Sequence, residues 1–224
     1  MDYSLETLKT ASEADFNRII KILLDECFDI RITYNNGNTF LIIASERGKI
    51  EIVKLLLLRG VNIDEQNKDG VSSLIFATCR GHINIVKLLL EKGAYVDSKH
   101  KYGVTSLISA TIQNNIIIAE LLLNYGANVN AYDNDNMTSL MQASTRNNND
   151  LVKLLLTYGA HIYDNNKYGN NSLIMAKQSN KQDIVDIFEK WHLTMLIIVL
   201  QELVVYHILD CITFIEFNEY LGDN

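Results

Sequence analysis

Apolar residues recur along this chain in short runs of helical spacing, separated by polar turns. The clearest runs are IEIVKLLL at 50–57, INIVKLLL at 83–90, IIIAELLL at 116–123 and DLVKLLL at 150–156. Their apolar positions repeat at three- and four-residue intervals, as one face of an α-helix requires. A shorter segment with one apolar side precedes each run, such as SLIFATCR at 73–80. Gly60, Gly93, Gly126 and Gly159 follow the longer runs at intervals of 33 residues. Ala44, Ala77, Ala110, Ala143 and Ala176 keep the same interval, and so do Gly37, Gly70, Gly103 and Gly169 with Asn136 in the remaining slot. Three marker series on one period define an internal repeat.

Each copy predicts one supersecondary unit. In the copy at 67–99, Ser72 is placed to cap a first helix by accepting from its free N–H groups. Gly81 allows a left-handed turn. A second helix is expected over Asn84 to Glu91, closed by Gly93 in the αL conformation. AYVDSKHKYG then runs extended into the next copy. Helices of two to three turns do not persist alone in water. Stacking against neighbouring copies buries their apolar faces and yields a linear solenoid.

The segment KDGVSSLIFATCRGHINIVKLLLEKGAYVDSK, residues 68–99, resembles an ankyrin repeat in its G-x-[ST]-x-L-x-x-A, G-H and I-V-K-L-L-L-x-x-G-A elements. The resemblance implies an all-α ankyrin-repeat solenoid of helix–turn–helix units with β-hairpin loops, closed by a C-terminal helical cap. It divides the chain into a degenerate capping copy at 1–33, copies at 34–66, 67–99, 100–132, 133–165 and 166–191, and a helical cap or docking tail at 192–224. The degenerate copy keeps Leu8, Ala11, Ile20, Leu23 and Leu24 in frame, with Asp15 and Cys27 replacing the turn markers. Proline, usual in this family at the start of the first helix, gives way to Phe40, Ser73, Ser106, Ser139 and Ser172. Each absence forgoes about 0.4–1 kcal/mol. The family's histidine two places on is Ile42, Ile75, Ile108, Met141 or Ile174, and the inter-helix glycine becomes Asn114, Asn147 and Asn180. A looser C-terminal half is expected from these changes.

Beyond the last copy, two further helices are expected, about Leu193–Tyr206 and Ile212–Leu221, with Asp210 as the second one's cap. They read as a cap over the open end of the stack. The alternative is a docking element for a ubiquitin-ligase component. The asparagine-rich, proline-free style and the WHLTMLIIVLQEL tail are similar to ankyrin proteins encoded by giant double-stranded DNA viruses.

Charge changes the picture by exclusion. The chain carries 20 basic and 27 acidic residues, a net charge of −7. A nucleic-acid binder shows a basic balance or stripe, so no nucleic-acid partner is expected. Cys27, Cys79 and Cys211 are too few for a disulfide framework and suit a reducing compartment, cytoplasmic or nuclear. MDYSLETLKTASEADF lacks the plan of a secretory signal. The apolar run from Leu193 is interrupted by Gln201, Glu202 and His207, so no membrane span is expected. No P-loop, G-x-G-x-x-G, G-x-S-x-G, HExxH or CxxC is present. Asp133-Asn134-Asp135 opens like a calcium loop, but Thr138 and Ser144 stand where glycine and glutamate are needed. The expectation is therefore no enzyme, no metal and no cofactor.

What remains is surface. The resemblance implies a partner protein bound on a concave face built from turn tips and first helices. The tips supply Lys68, Asp69, Lys101, Tyr102, Asp135 and Tyr168. The slot after each turn supplies Val71, Val104 and Met137, apolar in three successive copies. The first helices supply Arg47, Arg80, Ile112 and Arg146. Contiguous apolar surface flanked by aromatic and Arg side chains marks a protein-binding patch. The chain itself is expected to be a monomer.

Overall fold

The structure is a computed structural model describing residues 30–31, 33, 35–146 and 148–222, with side chains described no further than Val205. The degenerate copy at 1–33 and Asn147 therefore lie almost wholly outside the described residues. Among the described residues, ten α-helices follow in pairs. The first helices are α1 (Phe40–Glu46), α3 (Ser73–Cys79), α5 (Ser106–Ile112), α7 (Ser139–Ser144) and α9 (Ser172–Gln178). The second helices are α2 (Ile50–Leu58), α4 (Ile83–Glu91), α6 (Ile116–Asn124), α8 (Asn149–Thr157) and α10 (Gln182–Gly222). Each first helix packs on its own partner and on the first helix of the next copy, giving two layers of helices.

Local chemistry sets the helix starts. Thr39, Ser72, Thr105, Thr138 and Asn171 are extended, and each side-chain oxygen accepts from the N–H three residues on. That satisfies one orphan donor per first helix. The second helices change style along the array. Lys49 and His82 make no side-chain cap, whereas Asn115 and Asn148 accept from the N–H groups of Ile118 and Leu151. The later asparagines thus supply caps that the earlier copies lack. Asn114 and Asn180 also take the left-handed turn, φ 55° and 54°, where Gly48 and Gly81 stand at 73°.

The core is one continuous apolar layer between the helices. Leu56, Leu89, Leu122 and Leu155 are among its buried leucines on the second helices, and Ala77, Ala110, Ala143 and Ala176 are buried on successive first helices. Ile42, Ile75, Ile108 and Met141, in the family's histidine slot, are buried. Ile174 is exposed, with no further first helix beyond it. The hairpin loops hold only isolated antiparallel bridges, Gln66 with Ser72 and Tyr132 with Thr138, and no strand is found among the described residues.

The tail differs from expectation. It is one helix continuous with the last copy, not two helices capped at Asp210. No glycine or proline breaks the backbone between Gln182 and Leu221, so helical hydrogen bonding runs through. Ile184, Val185 and Phe188 are buried against the array. These first turns close the stack. From His192 to Val205 every side chain is exposed.

Candidate functional site

The turn tips form a ladder. Lys68 N–H donates to Asn36 O at 2.8 Å, Lys101 N–H to Asp69 O at 2.7 Å, Asn134 N–H to Tyr102 O at 2.9 Å and Lys167 N–H to Asp135 O at 3.0 Å. Every tip is thereby tied to the next through the backbone. Within a tip, one side chain ahead of the turn accepts from the chain behind it. The Oδ1 atoms of Asn67, Asp133 and Asn166 each take two N–H groups, from the residues two and four places on. This local bonding is the work of Asp133; among the described residues no group of His, Cys, Asp or Glu is placed to hold a metal. In the copy between, His100 Nδ1 accepts from Tyr102 N–H at 2.9 Å. Burial pushes the His100 imidazole below its ordinary value and Lys101 adds to that, while a backbone hydrogen bond and, after it, Asp133 and Asp69 oppose it.

Charge crosses the same seams. Lys101 Nζ lies 2.6 Å from Asp69 Oδ1, and Lys167 Nζ lies 3.1 Å from Asp135 Oδ1. The bond from Lys101, and after it the Asn36 amide, holds Asp69 below the usual carboxylate range. Asp69 in turn raises Lys101. The Lys101 ammonium also sits 5.0 Å from the Tyr102 ring centre. Solvent reaches both pairs and screens them, so they add little to stability. Their stronger consequence is order, because they immobilise side chains that face solvent.

The expected residues separate into three groups. Tyr102 and Tyr168 are 63% and 74% exposed, which leaves much of each side chain open to solvent. Lys68, Lys101, Asp135, Arg80 and Arg146 are also exposed, while Asp69 is half-buried. Val71, Val104, Met137, Arg47 and Ile112 are half-buried. Met137 is engaged within the array, its Sδ receiving Asn166 Nδ2 at 3.2 Å. At the first seam Asn38 fills the same slot and accepts from Asn67 Nδ2 at 2.8 Å. The slot after the turn thus meets the neighbouring turn.

Two further residues that the sequence also places on the first helices and turn tips, Glu46 and Lys167, take part. Glu46 binds Arg80 at 2.6 Å, and its carbonyl oxygen lies 3.0 Å from His82 Nε2. Lys167 completes the pair with Asp135. Offsets of 32 and 34 residues carry these contacts, so a search one residue either side of the period would have found them.

A protein family described as ankyrin repeats (3 copies) matches residues 8–100, 45–133 and 107–190. Together these matches cover most of the chain. It belongs to the ankyrin-repeat family. Ankyrin repeats are generally protein-interaction modules, typically without catalytic activity. No curated protein matches this ankyrin-repeat chain. Among the described residues, no helix of the ankyrin-repeat protein is long and apolar enough to cross a membrane.

Proposed function

We propose that this ankyrin array recognises a partner protein through its turn tips and first helices, without covalent chemistry. One observation carries the reading. The tips are locked to one another by backbone bonds and ion pairs while Tyr102 and Tyr168 stay open to solvent. Aromatic side chains held in place lose little entropy on binding and make good anchors. Lys68, Lys101, Asp135, Arg80 and Arg146 surround them with charge of both signs, while Val71, Val104, Met137, Arg47, Asp69 and Ile112 underlie the patch. The test is affinity capture with the full chain, identification of the bound protein, and titration with variants. Tyr102→Ala combined with Tyr168→Ala weakens capture by more than about thirtyfold if both are anchors, with thermal unfolding unchanged. Undiminished capture rejects the patch.

The second reading is a substrate adaptor, in which the same face holds a target and the tail docks a ubiquitin-ligase component. The exposed apolar side chains from Leu193 to Val205 favour it. The likeness to giant-virus ankyrin proteins points to a host protein as the target. The sparse, scattered cysteines of the sequence support an encounter in the cytosol or nucleus. Catalysis, cofactors and nucleic acid have no part in either reading.

A further inference from the structure

The first turn tip is built unlike the others. Asn36 and Gly37 both take left-handed backbone, φ 66° and 74°, a pair of conformations that an Asn-Gly turn adopts readily. Asp69, Tyr102, Asp135 and Tyr168, in the same slot as Asn36 in the later tips, do not. Asn36–Gly37 is also the one Asn-Gly step in the sequence.

That step carries its own reaction. Gly37 has no Cβ, so its nitrogen approaches the Asn36 side chain unhindered. On losing its proton to hydroxide, the Gly37 nitrogen bonds to Asn36 Cγ. The Cγ–Nδ2 bond breaks, and the amide nitrogen leaves as ammonia with a proton from water. Water then opens the cyclic imide at one carbonyl or the other, leaving aspartate or isoaspartate. The net change turns an amide and a water into a carboxylate and an ammonium ion.

The fold decides when this happens. Asn36 is exposed, so water reaches it. In the closed tip its ψ is 13°, and ring closure swings ψ far from that value. Two bonds across the first seam oppose the swing. Lys68 N–H donates to Asn36 O at 2.8 Å, and Asn36 Nδ2 donates to Asp69 Oδ2. Reaction therefore belongs to the opened tip.

The product does not restore the lock. Nδ2, the donor to Asp69, is gone. A carboxylate now faces the Asp69 carboxylate, which the Lys101 bond and the Asn36 amide had held below its usual range. In isoaspartate the chain runs on through Cγ, so the oxygen that received Lys68 N–H leaves the main-chain path. Asp69–Gly70, one copy on, has the same order of groups. Its carboxyl is kept ionised, and an ionised carboxylate offers the glycine nitrogen no leaving group.

We propose that Asn36 is a self-modifying site, which converts to aspartate or isoaspartate when the first tip opens and thereby unlocks the first seam of the ladder permanently. This stands independently of the partner-binding reading.

The test ages the full chain in warm, mildly alkaline buffer and maps its peptides by mass and retention. Asn36 is expected to convert ahead of Asn134 and Asn170, which lie in later tips, with part of the product running as isoaspartate. Asp69→Ala raises the rate at Asn36 by about two- to twelvefold, the net contribution of one hydrogen bond expressed as an opening equilibrium, and leaves Asn134 unchanged. Asn36→Gln keeps an amide but enlarges the ring that must close, so conversion there stops. Hydrogen exchange reads the consequence. Asn36→Asp, which carries the product's charge on an unaltered chain, speeds exchange at Lys68 N–H by at least about twofold and leaves Asn134 N–H, bonded to Tyr102 O, as protected as before. Asn36 outlasting Asn134 overturns the proposal. So does an Asp69→Ala rate equal to that of the unaltered chain, or a rise shared equally by all three asparagines, which would show that the seam gives Asn36 no protection of its own. Exchange at Lys68 unmoved by Asn36→Asp also overturns it.

Discussion

At the scale of single residues, His100 shows how one slot is filled by different chemistry. Asn67, Asp133 and Asn166 present an oxygen that accepts two N–H groups, but His100 accepts only through Nδ1. A protonated imidazole cannot accept there. The folded state holds His100 below its ordinary 6.5, so the fold favours the neutral ring. Its contribution to stability is whole above about pH 6.5 and is lost as pH falls from there through the depressed folded value. His100→Asn removes this step from a denaturation-versus-pH profile and raises stability at pH 5; an unchanged profile refutes the assignment. Gly103 offers a second residue-level test. A Cβ there meets the Asn134 backbone nitrogen at 2.8 Å, whereas one at Gly126 meets nothing within 4 Å. Both have positive φ, 79° and 83°. Gly126→Ala therefore costs about 1–2 kcal/mol for the left-handed backbone alone, and Gly103→Ala costs clearly more by chemical denaturation, because it also forces two tips apart.

At the scale of the element, the serine in the proline slot repeats a local inconsistency. Ser73, Ser106, Ser139 and Ser172 bury their hydroxyls without a hydrogen-bond partner. Thr105 before Ser106 is already extended, φ −89° and ψ 170°, as a residue ahead of proline must be. Ser106→Pro is accordingly expected to stabilise by about 0.4–1 kcal/mol through the unfolded chain, with a further gain from removing the buried hydroxyl. Ser172→Pro is expected to destabilise, since the Ser172 N–H donates to Ile162 O at 3.2 Å. Equal effects in calorimetry would contradict this account. The caps form the complementary case. Thr105→Ala removes the acceptor for Ile108 N–H and costs about 0.5–2 kcal/mol.

At the scale of the whole molecule, stability is a sum of copies and the interfaces between neighbours. The end of the stack is closed by Ile184, Val185 and Phe188, with Trp191 packed against them, not by the residues from 193 on. Removing residues 193–224 therefore shifts the unfolding free energy of the chain by less than about 1 kcal/mol, as for surface changes remote from the core. Phe188→Ala costs about 3–5 kcal/mol. A truncation that melts the whole array would show that the tail is a cap after all.

The repeat, its period, the helix pairs and the cap at Ser72 were legible in the chain, because each rests on interactions within a few residues or on a pattern that recurs. Where the copies meet was less legible. The Asp69–Lys101, Asp135–Lys167 and Glu46–Arg80 pairs lie one residue off the period, and only the stacking of one unit on the next brings them together. Whether Val71, Val104 and Met137 face solvent or a neighbouring turn depends on the same stacking. The tail makes the division sharpest. Its helical and apolar character follows from residues 182–222 alone, since no breaker interrupts them. That it runs straight past the last copy, buried only to Phe188 and exposed from His192, was decided by tertiary packing: the array offers one apolar face at its end, and the first turns of α10 already fill it.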